Sequence, residues 1–218
     1  MKYIHEKTEI DHLLKNKACF VLDFDGTIAD TENLHWEAYN QCLAKYNVTL
    51  GDDEIKRYIG HTEFKIYDMI RADFQIQFDN ETFLNERLTA YFALAESYDL
   101  VPFSYVHDLL TTYPDKTYII LSSQKRSVID FFLEKWQLQH IFTKIFTVFD
   151  DKISKESFLA NTVKYTGYAA TDVVLFEDTN RNLELAKQYH ILPICVEHKY
   201  NKGLLQSGAA IIVGELIK

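Results

Sequence analysis

Cysteine is scarce: Cys19, Cys42 and Cys195 are all that the 218 residues contain. They are odd in number, widely spaced and never in a C-x-x-C pair. Neither a disulfide framework nor a zinc site is indicated, and three reduced thiols in or near a core are expected. Long apolar runs are missing too. None reaches the roughly 20 residues that cross a bilayer, and the opening stretch MKYIHEKTEIDHLLKNKACF is too polar for a secretory signal. No membrane partner is expected, and a cytoplasmic location is. Positive charge is the third deficit, with 23 Lys and Arg against 32 Asp and Glu and a formal net charge of -9. Non-specific nucleic-acid binding calls for the opposite sign, so no nucleic-acid partner is expected.

What is present suits a folded α/β protein. Apolar residues make up 47 % of the chain and charged residues 25 %, enough for a core and too apolar for disorder. Short, non-alternating apolar runs occur at 18–24, 117–123, 144–150, 172–178, 191–197 and 209–213, as strands buried on both faces of a parallel sheet read. Helical patterns lie between them: residues 125–137, with Val128, Ile129, Phe132, Leu133 and Trp136 at helical spacing; 154–167, from a capping Ser154 to Gly167; and 180–190. The alternation predicts a doubly wound α/β parallel sheet, Rossmann-like. From Asn33 to Leu100 it stops, and four helices are expected instead, at 33–46, 52–59, 62–74 and 80–97. The expected division is a core of 1–31 and 102–218 with a helical insertion of 32–101. Residues 1–17 read as an added amphipathic helix with Ile4, Ile10, Leu13 and Leu14 on one face. A monomer is the simplest expectation.

The chemistry gathers where strands end. The first run closes in Asp23-Phe24-Asp25-Gly26-Thr27, with two carboxylates one residue apart before a turn. The run at 172–178 closes in Glu177 and Asp178. Functional sites of open α/β sheets form at the carboxyl ends of strands. Two carboxylates roughly 4 Å apart repel by about 4 kcal/mol at an effective dielectric of 20, so a cluster of four needs shifted pKa values or a cation. Oxygen ligands without sulfur or nitrogen favour Mg²⁺. The run at 117–123 ends in Ser122 and Ser123, and a hydroxyl there can donate to a phosphoryl oxygen. Lys152 and Lys155 follow the next strand and offer positive charge to an anionic transition state. Taken singly each feature has an ordinary reading: Asp-Gly is a common turn, Ser caps helices, and a lysine is often only a surface lysine.

Together, in this order, they resemble the haloacid dehalogenase (HAD) superfamily, in its phosphatase and β-phosphoglucomutase-like branch with a helical cap. The family's D-x-D-G-T is matched by residues 23–27, its strand-ending Ser by Ser122, and its closing acidic pair by Glu177 and Asp178. The resemblance covers nearly the whole chain after residue 17. It implies Asp23 as the nucleophile that becomes an aspartyl-phosphate, and Asp25 as the acid that protonates the leaving oxygen and then activates water. It further implies Mg²⁺ held by Asp23, Asp178 and the backbone carbonyl of Asp25, with Glu177 binding through water or orienting the lysine. Ser122 and that lysine would hold the phosphoryl group, and Thr27, Ser123 and Lys125 would lie on the substrate side. Many relatives read K-P-x-P-D-x-F where this chain has KISKESF, which favours Lys152. Others start a helix with the lysine, which favours Lys155, and the spacing to Asp178 leans to Lys155.

His35 matches a cap histidine of the β-phosphoglucomutase-like group, although a histidine at a helix start is otherwise a solvated or capping residue. Where the mutase carries a phosphate-binding Arg in the cap, this chain has Glu63, a carboxylate expected to repel a second phosphate. His61 and Lys65 are the nearby substitutes, while Tyr58, Phe64 and Tyr67 read as cap packing. The expected function is a Mg²⁺-dependent phosphatase acting on a small phosphorylated metabolite such as a sugar phosphate. The alternatives are a β-phosphoglucomutase-like phosphomutase, a phosphoacceptor signalling domain, and a scaffold that has lost the chemistry; retention of Asp23 and Asp25 argues against the last.

Overall fold

The short apolar runs pair side by side. The computed structural model describes residues 2–3, 7–59, 61–198, 201 and 210–213. Its strands are β1 (Lys2–Tyr3), β2 (Cys19–Leu22), β3 (Thr117–Ser122), β4 (Phe142–Thr147), β5 (Val173–Glu177), β6 (Leu192–Glu197) and β7 (Ala210–Val213). They form one parallel sheet in the order β1-β7-β6-β5-β2-β3-β4. This is the doubly wound α/β core expected from the alternation. Strand β2 lies between β3 and β5, with Leu22 level with Ile120 on one side and Phe176 on the other. Strands β2, β3 and β5 therefore end at one edge, and the residues that follow them are neighbours.

Burial on both faces explains the continuous apolar runs. All four residues of β2 and all five of β5 are buried. On one face Cys19, Val21, Ile119, Leu121, Val173 and Leu175 pack with Phe158, Leu159, Ala186 and Ile191. On the other, the Phe20 ring meets Tyr113, Tyr118 and Phe176 edge-on at 5.5 to 5.8 Å. Burying one such side chain contributes about 1.5–3 kcal/mol, far more than strand propensity supplies.

The core unit comprises Met1–Asp30 and Val101–Lys218. Its helices are α1 (Lys7–Leu14), α6 (Ser104–Thr112), α7 (Arg126–Lys135), α8 (Val148–Asp151), α9 (Lys155–Ala160), α10 (Thr162–Thr166) and α11 (Asn180–Gln188). The second unit, Thr31–Leu100, is helical, with α2 (Glu32–Leu43), α3 (Asp52–Tyr58), α4 (Glu63–Phe74) and α5 (Asn80–Ser97). Tyr39, Tyr67, Phe78 and Phe83 form its aromatic centre, with Phe78 stacked on Phe83 at 4.2 Å. Phe64 differs from the packing role expected of it: it is 46 % exposed, whereas Tyr58 and Tyr67 are fully buried. Among the described residues no helix is long and apolar enough to cross a membrane.

Four details correct the sequence reading. Residues 1–17 are not one helix, because Lys2–Tyr3 adds a strand beside β7; α1 keeps Ile10 and Leu14 buried, and Ile4 lies outside the described residues. The strand expected at 144–150 is β4, shifted toward the N-terminus. Thr147 ends it by capping α8: its hydroxyl accepts the Asp150 amide at 3.1 Å. The helix expected over 154–167 starts at the Ser154 cap and ends at Gly167, but breaks at Asn161, whose Nδ2 donates to the Ser157 carbonyl at 2.9 Å. Helix α6 carried no expectation, although Tyr105, Val106 and Leu109 are buried along it at helical spacing.

Candidate active site

Asp23 follows β2 directly, and its amide donates to the Phe176 carbonyl at 2.9 Å, extending the ladder by one residue. The chain then turns. Gly26 takes φ 68°, a left-handed value open to glycine, and its amide donates to the Ala29 carbonyl at 2.9 Å. A Cβ on Gly26 would sit 2.7 Å from Asp178 Oδ2 and 2.8 Å from His198 Nε2. The glycine thus lets the turn approach the acid that follows β5.

Lys155 opens α9 beneath the Ser154 cap, and its ammonium bridges the two strand ends. Nζ lies 2.8 Å from Asp23 Oδ2 and 2.9 Å from Glu177 Oε2, with 10 % of the side chain exposed. Each contact is an attraction of about 6 kcal/mol at an effective dielectric of 20. The other oxygen of Glu177 accepts the Thr179 hydroxyl at 2.8 Å and its amide at 3.3 Å. Lys152, the other candidate, is exposed in a left-handed position just after α8. The two lysines are three residues apart, yet only Lys155 is brought among the acids.

Carboxylate oxygens of Asp23, Glu177 and Asp178 lie within 4.8 Å of one another. Three carboxylates gather round one ammonium, so negative charge is in excess when all three are ionised. Burial raises the Asp23 pKa well above the ordinary range, Glu177 and Asp178 push it further, and Lys155 only partly opposes them. Burial would also raise Glu177, but the Lys155 ammonium and its hydrogen bonds hold it below the usual value. Burial alone would lower Lys155, and the carboxylates of Asp23 and Glu177 outweigh that and raise it. Asp23 Oδ1 is buried without a hydrogen-bond partner. An orphaned carboxylate oxygen inside an all-oxygen group with excess negative charge fits a hard divalent cation.

The remaining expected residues divide. Ser122 ends β3, is 1 % exposed, and accepts the Gln124 amide on its hydroxyl at 3.1 Å. The Asp25 carboxylate receives Gln124 Nε2 at 3.3 and 3.4 Å and stands apart from the three-acid group. Thr27 is fully buried; its carbonyl accepts the Tyr105 hydroxyl at 2.5 Å, and its own hydroxyl is buried without a partner. Ser123 is exposed, and Lys125 lays its ammonium 4.5 Å from the centre of the Phe149 ring. In the helical unit, the His35 ring packs against Tyr91 at 4.7 Å, tilted by 43°, and meets Arg87 Nη1 at 3.3 Å.

Glu63 does not stand alone. Arg87 grips it with Nε and Nη2 at 2.8 and 2.9 Å, and Tyr39 donates to it at 3.0 Å. The repulsion expected from Glu63 is thus neutralised by a partner that sequence reasoning missed. Gln124, His198 and Asn201 were missed as well. Gln124 and His198 each stand just past a strand end, a signal the strand-end rule carries without saying which side chain matters. Asn201, in the loop beyond β6, gave no signal.

The family comparison agrees with this geometry. A model of haloacid dehalogenase-like hydrolases matches residues 20–196, and the chain belongs to that family. It is therefore a haloacid dehalogenase-like hydrolase. Solved structures share the fold at low identity. CbbY from Rhodobacter sphaeroides, in complex with phosphate, is 16 % identical, covering 90 % of this chain and 93 % of its own, with a TM-score of 0.77. A β-phosphoglucomutase from Clostridium difficile is 17 % identical, covering 90 % of each chain, with a TM-score of 0.70. A predicted phosphoglycolate phosphatase from Haemophilus somnus is 12 % identical, covering 90 % and 93 %, with a TM-score of 0.73. No curated protein sequence matches the chain.

Proposed function

We propose that the protein is a Mg²⁺-dependent phosphatase that hydrolyses a small phosphorylated metabolite of the sugar-phosphate kind through an aspartyl-phosphate on Asp23. The observation that carries this is Lys155 set between Asp23 and Glu177, 2.8 and 2.9 Å away. A buried ammonium touching the nucleophile's own oxygen opposes the rise in the Asp23 pKa and suits neutralising a phosphoryl group that arrives there. Asp23, Asp178 and the Asp25 carbonyl would hold Mg²⁺, which when bound supplies positive charge to the phosphoryl oxygens.

In the first half-reaction an Asp23 oxygen forms a bond to phosphorus, the bond to the leaving oxygen breaks, and the Asp25 carboxyl gives that oxygen its proton. In the second, the Asp25 carboxylate takes a proton from water, the water oxygen bonds to phosphorus, and the Asp23–phosphorus bond breaks to release phosphate. Gln124 holds the Asp25 carboxylate and Ser122 donates to the phosphoryl group. The helical unit serves as the cap that selects the substrate.

The mutase alternative requires spare positive charge for a second phosphate. Arg87 is 2 % exposed and spends its two-pronged contact on Glu63, so the pair carries no net charge, and this favours the phosphatase. The test is p-nitrophenyl phosphate with Mg²⁺, followed by a panel of phosphorylated metabolites assayed for released phosphate. Turnover in the wild type and none in Asp23→Asn is the expected result. A stable phosphoprotein without turnover would establish the signalling alternative. Interconversion of hexose 1- and 6-phosphates without phosphate release would establish the mutase.

A further inference from the structure

We propose that His198, backed by Asn201, is a positioning residue for the Asp178 carboxylate and sets the protein's affinity for its divalent cation. The inference rests on the cation reading above and concerns residues that reading does not use.

Lys155 bridges two of the three clustered acids, and the third is held by other means. His198 is the first residue past β6, which pairs with β5 so that Glu177 stands level with Cys195. His198 therefore reaches the same sheet edge as the acids. Its Nε2 lies 3.0 Å from Asp178 Oδ2, and 5 % of its side chain is exposed. A carboxylate only accepts, so the geometry assigns the imidazole proton to Nε2.

Asn201 locks the other end of both residues. Its Oδ1 accepts the His198 amide at 2.8 Å, and its Nδ2 donates to the carbonyls of Asp178 and Val196, each at 2.9 Å. Asp178 is thus tied at its backbone carbonyl by Asn201 and at its carboxylate by His198, from one short segment after β6. The turn of the first motif closes the remaining side, since the space beside Gly26 is filled by Asp178 Oδ2 and His198 Nε2. A ligand so confined meets a cation without losing rotamer freedom. Its hydrogen bond to the imidazole orients the carboxylate. Removing such a partner typically weakens metal binding about 10- to 100-fold.

The test is calorimetric titration of Mg²⁺ into the full-length protein, alongside Mg²⁺ activation of p-nitrophenyl phosphate hydrolysis. The variants are His198→Gln, which keeps a donor, and His198→Leu, which keeps bulk without one. For His198→Leu the Mg²⁺ dissociation constant and the activation midpoint should both rise about 10- to 100-fold, while kcat at saturating Mg²⁺ stays within about threefold of wild type. His198→Gln should recover most of the affinity, and Asn201→Ala should lose affinity as His198→Leu does. Equal Mg²⁺ affinity in the Leu and Gln variants overturns the proposal, as does a loss of kcat with unchanged affinity. Wild type and Asp178→Asn separate the two levels. If wild type takes up no Mg²⁺, the cation reading falls and this inference with it. If wild type binds, Asp178→Asn does not, and the two His198 variants are alike, only this inference falls.

Discussion

Replacing Lys155 with Met removes one ammonium and strands two buried carboxylates. Asp23 is 6 % exposed and Glu177 is fully buried, and each loses the partner of one oxygen. The lost attractions are about 6 kcal/mol apiece at an effective dielectric of 20. They are offset because a buried ammonium, itself costly to desolvate, is gone. Breaking a buried pair from one side nets about 3–5 kcal/mol. At about 2–4 °C per kcal/mol for a chain of this length, Tm without Mg²⁺ should fall by roughly 6–20 °C at pH 7.5.

The pH dependence supplies a sign. In the wild type Glu177 is held below its ordinary pKa, so it contributes stability above the unfolded value, about 4.3, that is lost as pH falls through its folded value. In Lys155→Met, burial, the largest influence on Glu177, is opposed only by the hydrogen bonds from Asp178 and Thr179, and the folded pKa moves up. The resulting penalty is absent below the unfolded value and grows as pH rises. The Tm gap between the two proteins should therefore narrow on acidification from pH 8 to pH 5. Turnover of p-nitrophenyl phosphate should fall about 10²- to 10³-fold, as when a single transition-state donor is removed. Lys152→Met is the control, since an exposed side chain should cost within about 0.5 kcal/mol. Thermal scans from pH 5 to 8 and steady-state rates decide it. An unchanged Tm in Lys155→Met, a gap that widens in acid, or a collapse in Lys152→Met instead would refute the reasoning.

In the helical unit the two partners of one ion pair should respond unequally. Arg87 is 2 % exposed and Glu63 24 %, so Glu63→Ala strands a buried guanidinium and should cost about 3–5 kcal/mol in urea denaturation. Arg87→Met leaves a carboxylate that water reaches and should cost less; the reverse order would show that the pair is not held as described. The thiols should be inert. All three cysteines are buried, and burial pushes Cys19 up to about 12. At pH 8 that leaves about one thiolate in 10⁴, so Ellman's reagent should find the thiols only after unfolding, and rapid reaction of native protein would count against the described core. Because the raised thiol favours the neutral form, its contribution to stability is present below about pH 8.5 and declines as the pH rises toward 12.

Strand identity was legible because β2, β3 and β5 bury both faces, and a residue with no wet side must be apolar. That leaves an unbroken run in the sequence, and the acids that end it, Asp23 and Glu177, stand out against it. The helices of 31–100 were legible for a related reason, as their period survives in Leu34, Ala38, Tyr39 and Leu43, all buried on α2. What was misread is where two local preferences compete: Thr147 ends a strand by capping a helical turn, and Asn161 breaks a helix by bonding back to Ser157. Strand β1 had no local signal, since its only partner is β7 at the far end of the chain.

The site divided in the same way. Residues 23–27, Ser122, Glu177 and Asp178 are a pattern of types at strand ends, and the sequence by itself determined them. The spacing only leaned to Lys155; its placement among the acids, the pairing of Arg87 with Glu63, and the contacts of His198 and Asn201 with Asp178 are visible only in the tertiary structure. Periodicity and turn chemistry act over a few residues and are written in order along the chain. Which charge meets which depends on strand order and on the start of a helix such as α9, and a shift of three residues there moves an ammonium from solvent into the cluster.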